Sequence, residues 1–352
     1  MALAPLALMA LGWPVRAAML GAEQGAQTSR LKTARQEVSA PPARHAVVDD
    51  AGRRVEVPMV ARRVVSLAPS VTETLYAVGA GSQIAGITDY SDVPKGSPAK
   101  PSVGEPLDPS IEEIVSLRPD LVLVDGSINR WETVASLDRL NIPVYATDAR
   151  TVEGMLETIR RIAGLVGAQR AGDRLASRLE ARLDALRQRL AGRKPKRVLF
   201  VVWQDPLITT GKNTFIADAL RWAGAESVID VNEDWPHVSM EEIVHLEPEE
   251  LIFPATGAMS AATIAQALGG QPGWRELEAV RKGRLVLVSD AINRPSPALV
   301  GAIEELAREL HPGAFRADTP IDAGGEARDG EYSRHFRAGT GSAAQPRRGG
   351  ST

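Results

Sequence analysis

The chain has 352 residues, 44% of them apolar and 24% charged, with a formal net charge of −3 and no cysteine. That balance offers nucleic acid no basic field. The missing cysteines exclude disulfides, thiolate metal sites, cysteine nucleophiles and a lipid-bearing N-terminal cysteine in this sequence. The length suits two domains of ordinary size.

In chain order, an apolar run over residues 2–13 is too short to span a bilayer. With small residues around Ala17 and Ala18 it reads as a secretion signal, although no basic residue precedes Arg16. Residues 1–44 are therefore expected to be a signal and a polar linker. The stretch VVDDAGRRVEVP, 47–58, reads as a β-hairpin turning at Gly52. RRVVSLAPSVTETLYAVGAG follows as a buried strand, a turn and a short helix, with Ser70 and Glu73 spaced as a capping box. Strand-like runs at 84–88, 121–124 and 144–147 alternate with helical patterns such as 131–140. This alternation predicts a mostly parallel sheet covered by helices. Leu175, Leu179, Leu183, Leu186 and Leu190 then form one stripe on a charged segment, with no Gly or Pro from Asp173 to Ala191. A single stiff helix is expected there. The strand pattern restarts at KRVLFVVW and recurs near Val228, at 251–253 and at 285–288, before a last helix over 297–310. From Arg316 the composition turns polar and rich in Gly, Arg and Ser, which predicts a disordered tail over 316–352.

The predicted architecture is thus α/β: two Rossmann-like lobes, 45–167 and 193–315, joined by one long helix, 168–192. Ligands of such sheets bind beyond the carboxyl ends of the strands, so a cleft between the lobes is expected.

One phrase is written twice. PSIEEIVSLRP ends at Pro119, and VSMEEIVHLEP ends at Pro248. In each, the serine (Ser110, Ser239) is placed as N-cap and the second glutamate (Glu113, Glu242) as its capping-box partner. Ile114, Val115 and Leu117, like Ile243, Val244 and Leu246, are expected to face inward. The first glutamates, Glu112 and Glu241, have no task within the helix and are expected to point into solvent.

The series RVVSLAPSVTETLYAVGAGSQIAGITDYSDVP, IEEIVSLRPDLVLV, VVWQDPLITTGKNTFIADAL, EDWPHVSMEEI and GWRELEAVRKGRLVLV resembles the substrate-binding proteins of bacterial ABC importers with two lobes joined by one helix. The resemblance spans about 47–315 and is nearest to periplasmic cobalamin-binding proteins. It implies a periplasmic monomer without catalytic cofactor, which carries a corrinoid to a permease dimer. It also implies that Glu112 and Glu241 dock into the permease, one from each lobe. Haem or a ferric siderophore is the alternative cargo, and a corrinoid- or nucleotide-handling enzyme is a more distant one.

Aromatic residues are few, so those in loops after strands stand out: Tyr90, Trp203 and Trp235. Flat rings suit a corrin and its base. Arg294 follows the last strand and is placed to meet a ligand phosphate or carboxylate. Trp222 and Trp274 are assigned to the core, and Trp131 is left open. The resembled receptors carry cleft tryptophans near the places of Pro106 and Asp125, so this chain departs from them there. DPLITTGKNT has Pro206 where a phosphate loop needs its first glycine and Asn213 where it needs Ser or Thr. The five histidines, at 45, 237, 245, 311 and 335, lack zinc spacing. No enzyme site emerges.

Overall fold

A computed structural model describes residues 43–255 and 260–315; the expected signal and tail lie outside the described residues. A hairpin of antiparallel strands β1 (Arg44–Val48) and β2 (Arg54–Pro58) comes first. The first lobe then runs β3 (Val64–Ser66), α1 (Pro69–Ala77), β4 (Ile84–Ile87), α2 (Ile111–Ser116), β5 (Leu121–Asp125), α3 (Trp131–Arg139), β6 (Val144–Thr147) and α4 (Val152–Leu165). The joining helix α5 is Gln169–Leu190.

The second lobe begins with β7 (Lys196–Phe200) and a small antiparallel hairpin, β8 (Trp203–Gln204) and β9 (Leu207–Ile208). It continues through α6 (Phe215–Trp222), β10 (Ala225–Ser227), α7 (Met240–Leu246), β11 (Glu250–Pro254), α8 (Ala261–Gly269), α9 (Glu278–Arg281), β12 (Leu285–Val288) and α10 (Leu299–Leu310). The main sheets have the orders β4-β3-β5-β6 and β10-β7-β11-β12, and every pairing within them is parallel. The first strand of each lobe is therefore second in its sheet, and the lobes repeat one topology. Strands such as Leu121–Asp125 are buried along their whole length, as a sheet covered on both faces requires.

The helix α5 is a strut of 22 residues, or about 33 Å. Leu179, Leu183 and Leu186 are buried, while Leu175 and Leu190 are half-buried at the ends of the stripe. It packs on α4 in the first lobe and on α6 and α10 in the second. A side chain at Gly172 would put its Cβ 2.3 Å from that of Ala163, so glycine is what lets α4 and α5 cross so closely. Ion pairs bind the strut both ways: Glu180 to Arg160 at 2.7 Å and Arg182 to Glu304 through two bonds of 2.9 and 3.0 Å. One apolar core runs from Met155 and Ile159 through Leu183 to Leu220 and Ile303, so the lobes share their packing on the strut side.

Several expectations need correction. Ser70 and Glu73 do not cap α1. Pro69 occupies its first turn, Ala68 is the N-cap, and no side chain bonds there. Ser70 instead donates to Asp125 at 2.9 Å, and Glu73 is buried. Val115 is 42% exposed rather than turned inward, because a helix of six residues buries only Ile114 fully. Trp274 is in the core as expected, whereas Trp222 is half-buried with the Arg187 guanidinium 5.7 Å from its ring.

Candidate functional site

The carboxyl ends of both sheets carry the loops that meet between the lobes. In the first lobe, Asn129 follows β5 and donates to the carbonyls of Leu67 at 2.9 Å and Pro106 at 2.8 Å. That pins the loop before α2 across the ends of β3 and β5 and leaves Leu107 half exposed. Tyr90, after β4, is 49% exposed. Beneath its loop a buried row of hydroxyls links Thr88 to Ser91 (2.9 Å), Ser91 to Thr72 (3.2 Å) and Thr72 to Ser66 (2.8 Å).

In the second lobe, Trp203 sits in the β8–β9 hairpin, donates its indole N–H to the Asp205 carbonyl at 2.8 Å and is 52% exposed as a residue. Trp235 is 39% exposed. Its loop is stitched to the segment after β9 by backbone bonds: Thr209 N to Pro236 O (3.2 Å), Gly211 N to Asp234 O (3.0 Å) and Lys212 N to Val231 O (3.0 Å). A Cβ on Gly211 would lie 1.8 Å from the Glu233 carbonyl oxygen. The glycine of TTGKNT therefore serves the close approach of two chains rather than a phosphate.

Three contacts cross between the lobes here. Val152 N–H donates to Asp218 at 2.8 Å. Arg150 pairs with Asp234 at 2.6 Å. Glu73, 5% exposed, accepts from the Ser296 hydroxyl and faces Arg294 Nε at 2.8 Å. Burial pushes the Glu73 carboxyl above the ordinary carboxylate range, against the pull of Arg294 and the Ser296 bond. Arg294 also binds Asp290 at 2.6 Å. Asp92 is raised by burial too, with Arg294 opposing and Asp290 adding to the rise. One guanidinium thus answers three carboxylates.

So the structure places Tyr90, Trp203 and Trp235 with exposed rings at the strand ends, while Arg294 is already engaged by acidic neighbours. Asp125, where the resembled receptors have a cleft aromatic, is buried and bonded to Ser70 and Ser127. Burial raises its carboxyl despite those bonds. Trp131 is 45% exposed, with Arg53 5.4 Å from its ring centre. Sequence reasoning missed Leu107, Arg150 and Asp234. Leu107 lay beside the noted Pro106, but nothing local signalled that Arg150 and Asp234 would meet.

The twice-written helices sit alike. Ser110 accepts from Glu113 N–H at 3.2 Å, and Ser239 from Glu242 N–H at 3.0 Å. The return half of the first box is absent, since the Ser110 N–H goes to the Val103 carbonyl at 2.8 Å. Glu112 and Glu241 are second in their helices and exposed. Each helix ends on a left-handed residue before its proline, Arg118 (φ 46°) and Glu247 (φ 47°). An arginine near the start of each lobe's first strand holds the terminal carbonyls: Arg63 reaches Leu117 at 2.7 Å, and Arg197 reaches Leu246 at 2.6 Å.

The described residues contain no group of three or more His, Asp or Glu side chains able to hold a metal ion, and no helix among them is long and apolar enough to cross a membrane.

The family described as periplasmic binding protein matches residues 64–291. An ABC transporter substrate-binding lipoprotein of Bacillus subtilis is 29% identical over 278 residues, which is 76% of this chain and 86% of the relative. The crystal structure of a periplasmic vitamin B12-binding protein of Vibrio cholerae superposes with a TM-score of 0.64 at 26% identity, covering 74% of this chain and 100% of the other. A periplasmic haem-binding protein of Roseiflexus gives 0.63 at 25% identity, covering 72% and 99%.

Proposed function

We propose a transport role from one premise: the chain belongs to the periplasmic binding protein family. It captures a corrinoid, cobalamin foremost, in the cleft between its lobes and delivers it, as a periplasmic monomer, to the permease dimer of an ABC importer. It performs no catalysis and needs no catalytic cofactor. The observation that carries this reading is the set of exposed aromatic residues, Tyr90 in a loop after one lobe's strands and Trp203 and Trp235 in loops of the other. Large flat faces with few rotamers bind a planar macrocycle at low entropic cost. The Vibrio cholerae protein, named for vitamin B12, supports the choice of corrin.

In this reading Tyr90, Trp203 and Trp235 line the ligand, and Arg294, held by Glu73 and Asp290, stands at its edge. Glu112 and Glu241 are the permease contacts. Each is an exposed carboxylate on an equivalent helix of one lobe, so the two suit a partner with two like subunits.

Haem or a ferric siderophore is the second reading. It is favoured by the Roseiflexus haem-binding structure, which superposes almost as well, and by Pro106 and Asp125, where two aromatic partners for a corrin are missing. Native mass spectrometry of the protein purified with its cargo, with an absorbance scan, tests the choice. A corrinoid mass at one per chain is expected; a haem or siderophore mass would move the cargo to the second reading.

A further inference from the structure

Arg150 lies in the loop after β6, and Asp234 immediately precedes Trp235. Their ion pair at 2.6 Å therefore joins the rim of one lobe to the aromatic loop of the other. Arg150 Nε is also 2.9 Å from Asp148. The Arg150 and Asp234 side chains are 46% and 37% exposed. Ion pairs so open to water contribute little and exchange readily. Arg294 differs, since its partner Glu73 is buried and its own side chain is only 23% exposed. The Asp234 carbonyl stays fixed by Gly211 N–H, so its carboxylate can swing away without unmaking the loop.

We propose that Arg150 is the anion-recognising residue of the cleft, which takes a phosphate or carboxylate of the ligand in exchange for Asp234. The proposal rests on the reading that these facing strand ends form the ligand cleft. A ligand anion seated beside the exposed rings is partly withdrawn from water, which strengthens its bond to Arg150 relative to the solvated Asp234 pair. Because Asp234 adjoins Trp235, the exchange is reported by the indole. Asp148 remains beside Arg150 in both arrangements and keeps its side chain at the rim.

The test titrates cyanocobalamin, which bears a phosphodiester, dicyanocobinamide, which lacks it, and haemin, which bears carboxylates, into wild type, Arg150→Ala, Arg150→Lys and Asp234→Asn. For the anion-bearing probe that binds, Arg150→Ala should weaken affinity about tenfold or more. Arg150→Lys should recover part of it, and Asp234→Asn should tighten binding. Cobinamide affinity should stay within about twofold throughout. Inorganic phosphate supplies an arm independent of the cargo. It should shift the Trp235 emission, isolated by difference against Trp235→Phe, in wild type and Asp234→Asn but not in Arg150→Ala. Equal weakening of every probe by Arg150→Ala, or a phosphate response indifferent to Arg150, would overturn the proposal. A wild type that binds no corrinoid or haem but answers phosphate through Arg150 would retire the cargo reading and leave the exchange standing.

Discussion

Replacing Glu73 by Gln removes a carboxylate buried between the lobes while preserving its shape. Glu73 faces Arg294 at 2.8 Å and accepts from Ser296, so intuition says that the loss should be costly and more so as the carboxylate ionises. The surroundings say otherwise. Burial raises the Glu73 carboxyl in spite of Arg294, and Asp92 and Asp290 compete for the same guanidinium. A carboxyl raised by folding binds more protons in the native than in the unfolded chain. Its stabilising contribution is present below its unfolded value and lost as pH rises through the folded one. Between about pH 4.5 and that raised value, wild type should lose up to ~1.4 kcal/mol of stability per pH unit from this group, and Glu73→Gln should lose none of it. The glutamine variant should therefore gain on wild type as pH rises from about 4.5 to 7.5. Glu73→Ala, in contrast, leaves Arg294 and the Ser296 hydroxyl without their buried partner and should cost about 2–5 kcal/mol. Urea denaturation across that pH range measures both. If wild type gains on Glu73→Gln with rising pH, Arg294 holds the carboxyl down, and the reasoning from burial and charge crowding is wrong.

Glu112→Ala and Glu241→Ala should abolish or sharply reduce permease-coupled uptake while changing stability by only about 0.3–1 kcal/mol, whereas Ser110→Ala and Ser239→Ala should each lower stability by about 1 kcal/mol; uptake assays and thermal melts separate the two. Gly211→Ala should push the Trp235 loop away from the segment after β9, cost about 1–3 kcal/mol and weaken ligand binding, both read by denaturation and titration. The shared core and paired strut should keep the lobes nearly fixed, so small-angle scattering should show little change in radius of gyration when ligand is added; a large contraction would contradict the rigid strut.

The parallel sheets and their repeat were legible because period and punctuation are local: apolar runs, capping serines and the prolines at 119 and 248. The leucine stripe announced α5 for the same reason. What failed was what depends on distant partners. Ser70 and Glu73 have capping-box spacing, yet Glu73 answers Ser296, 223 residues away. Arg150 and Asp234 are 84 residues apart and carry no motif. Asp125 matches an aromatic position in the resembled receptors but is drawn inward by Ser70 and Ser127. Gly211 sits in a stretch that loosely follows a phosphate loop, and only the approach of the Glu233 carbonyl explains it.

Calorimetric titration of cyanocobalamin into the wild-type protein and into Trp235→Ala addresses the central claim most directly. Wild type should bind one corrinoid per chain, and loss of the indole should weaken binding by about tenfold or more. No heat with cyanocobalamin, together with tight binding of haemin or a ferric siderophore, would contradict it.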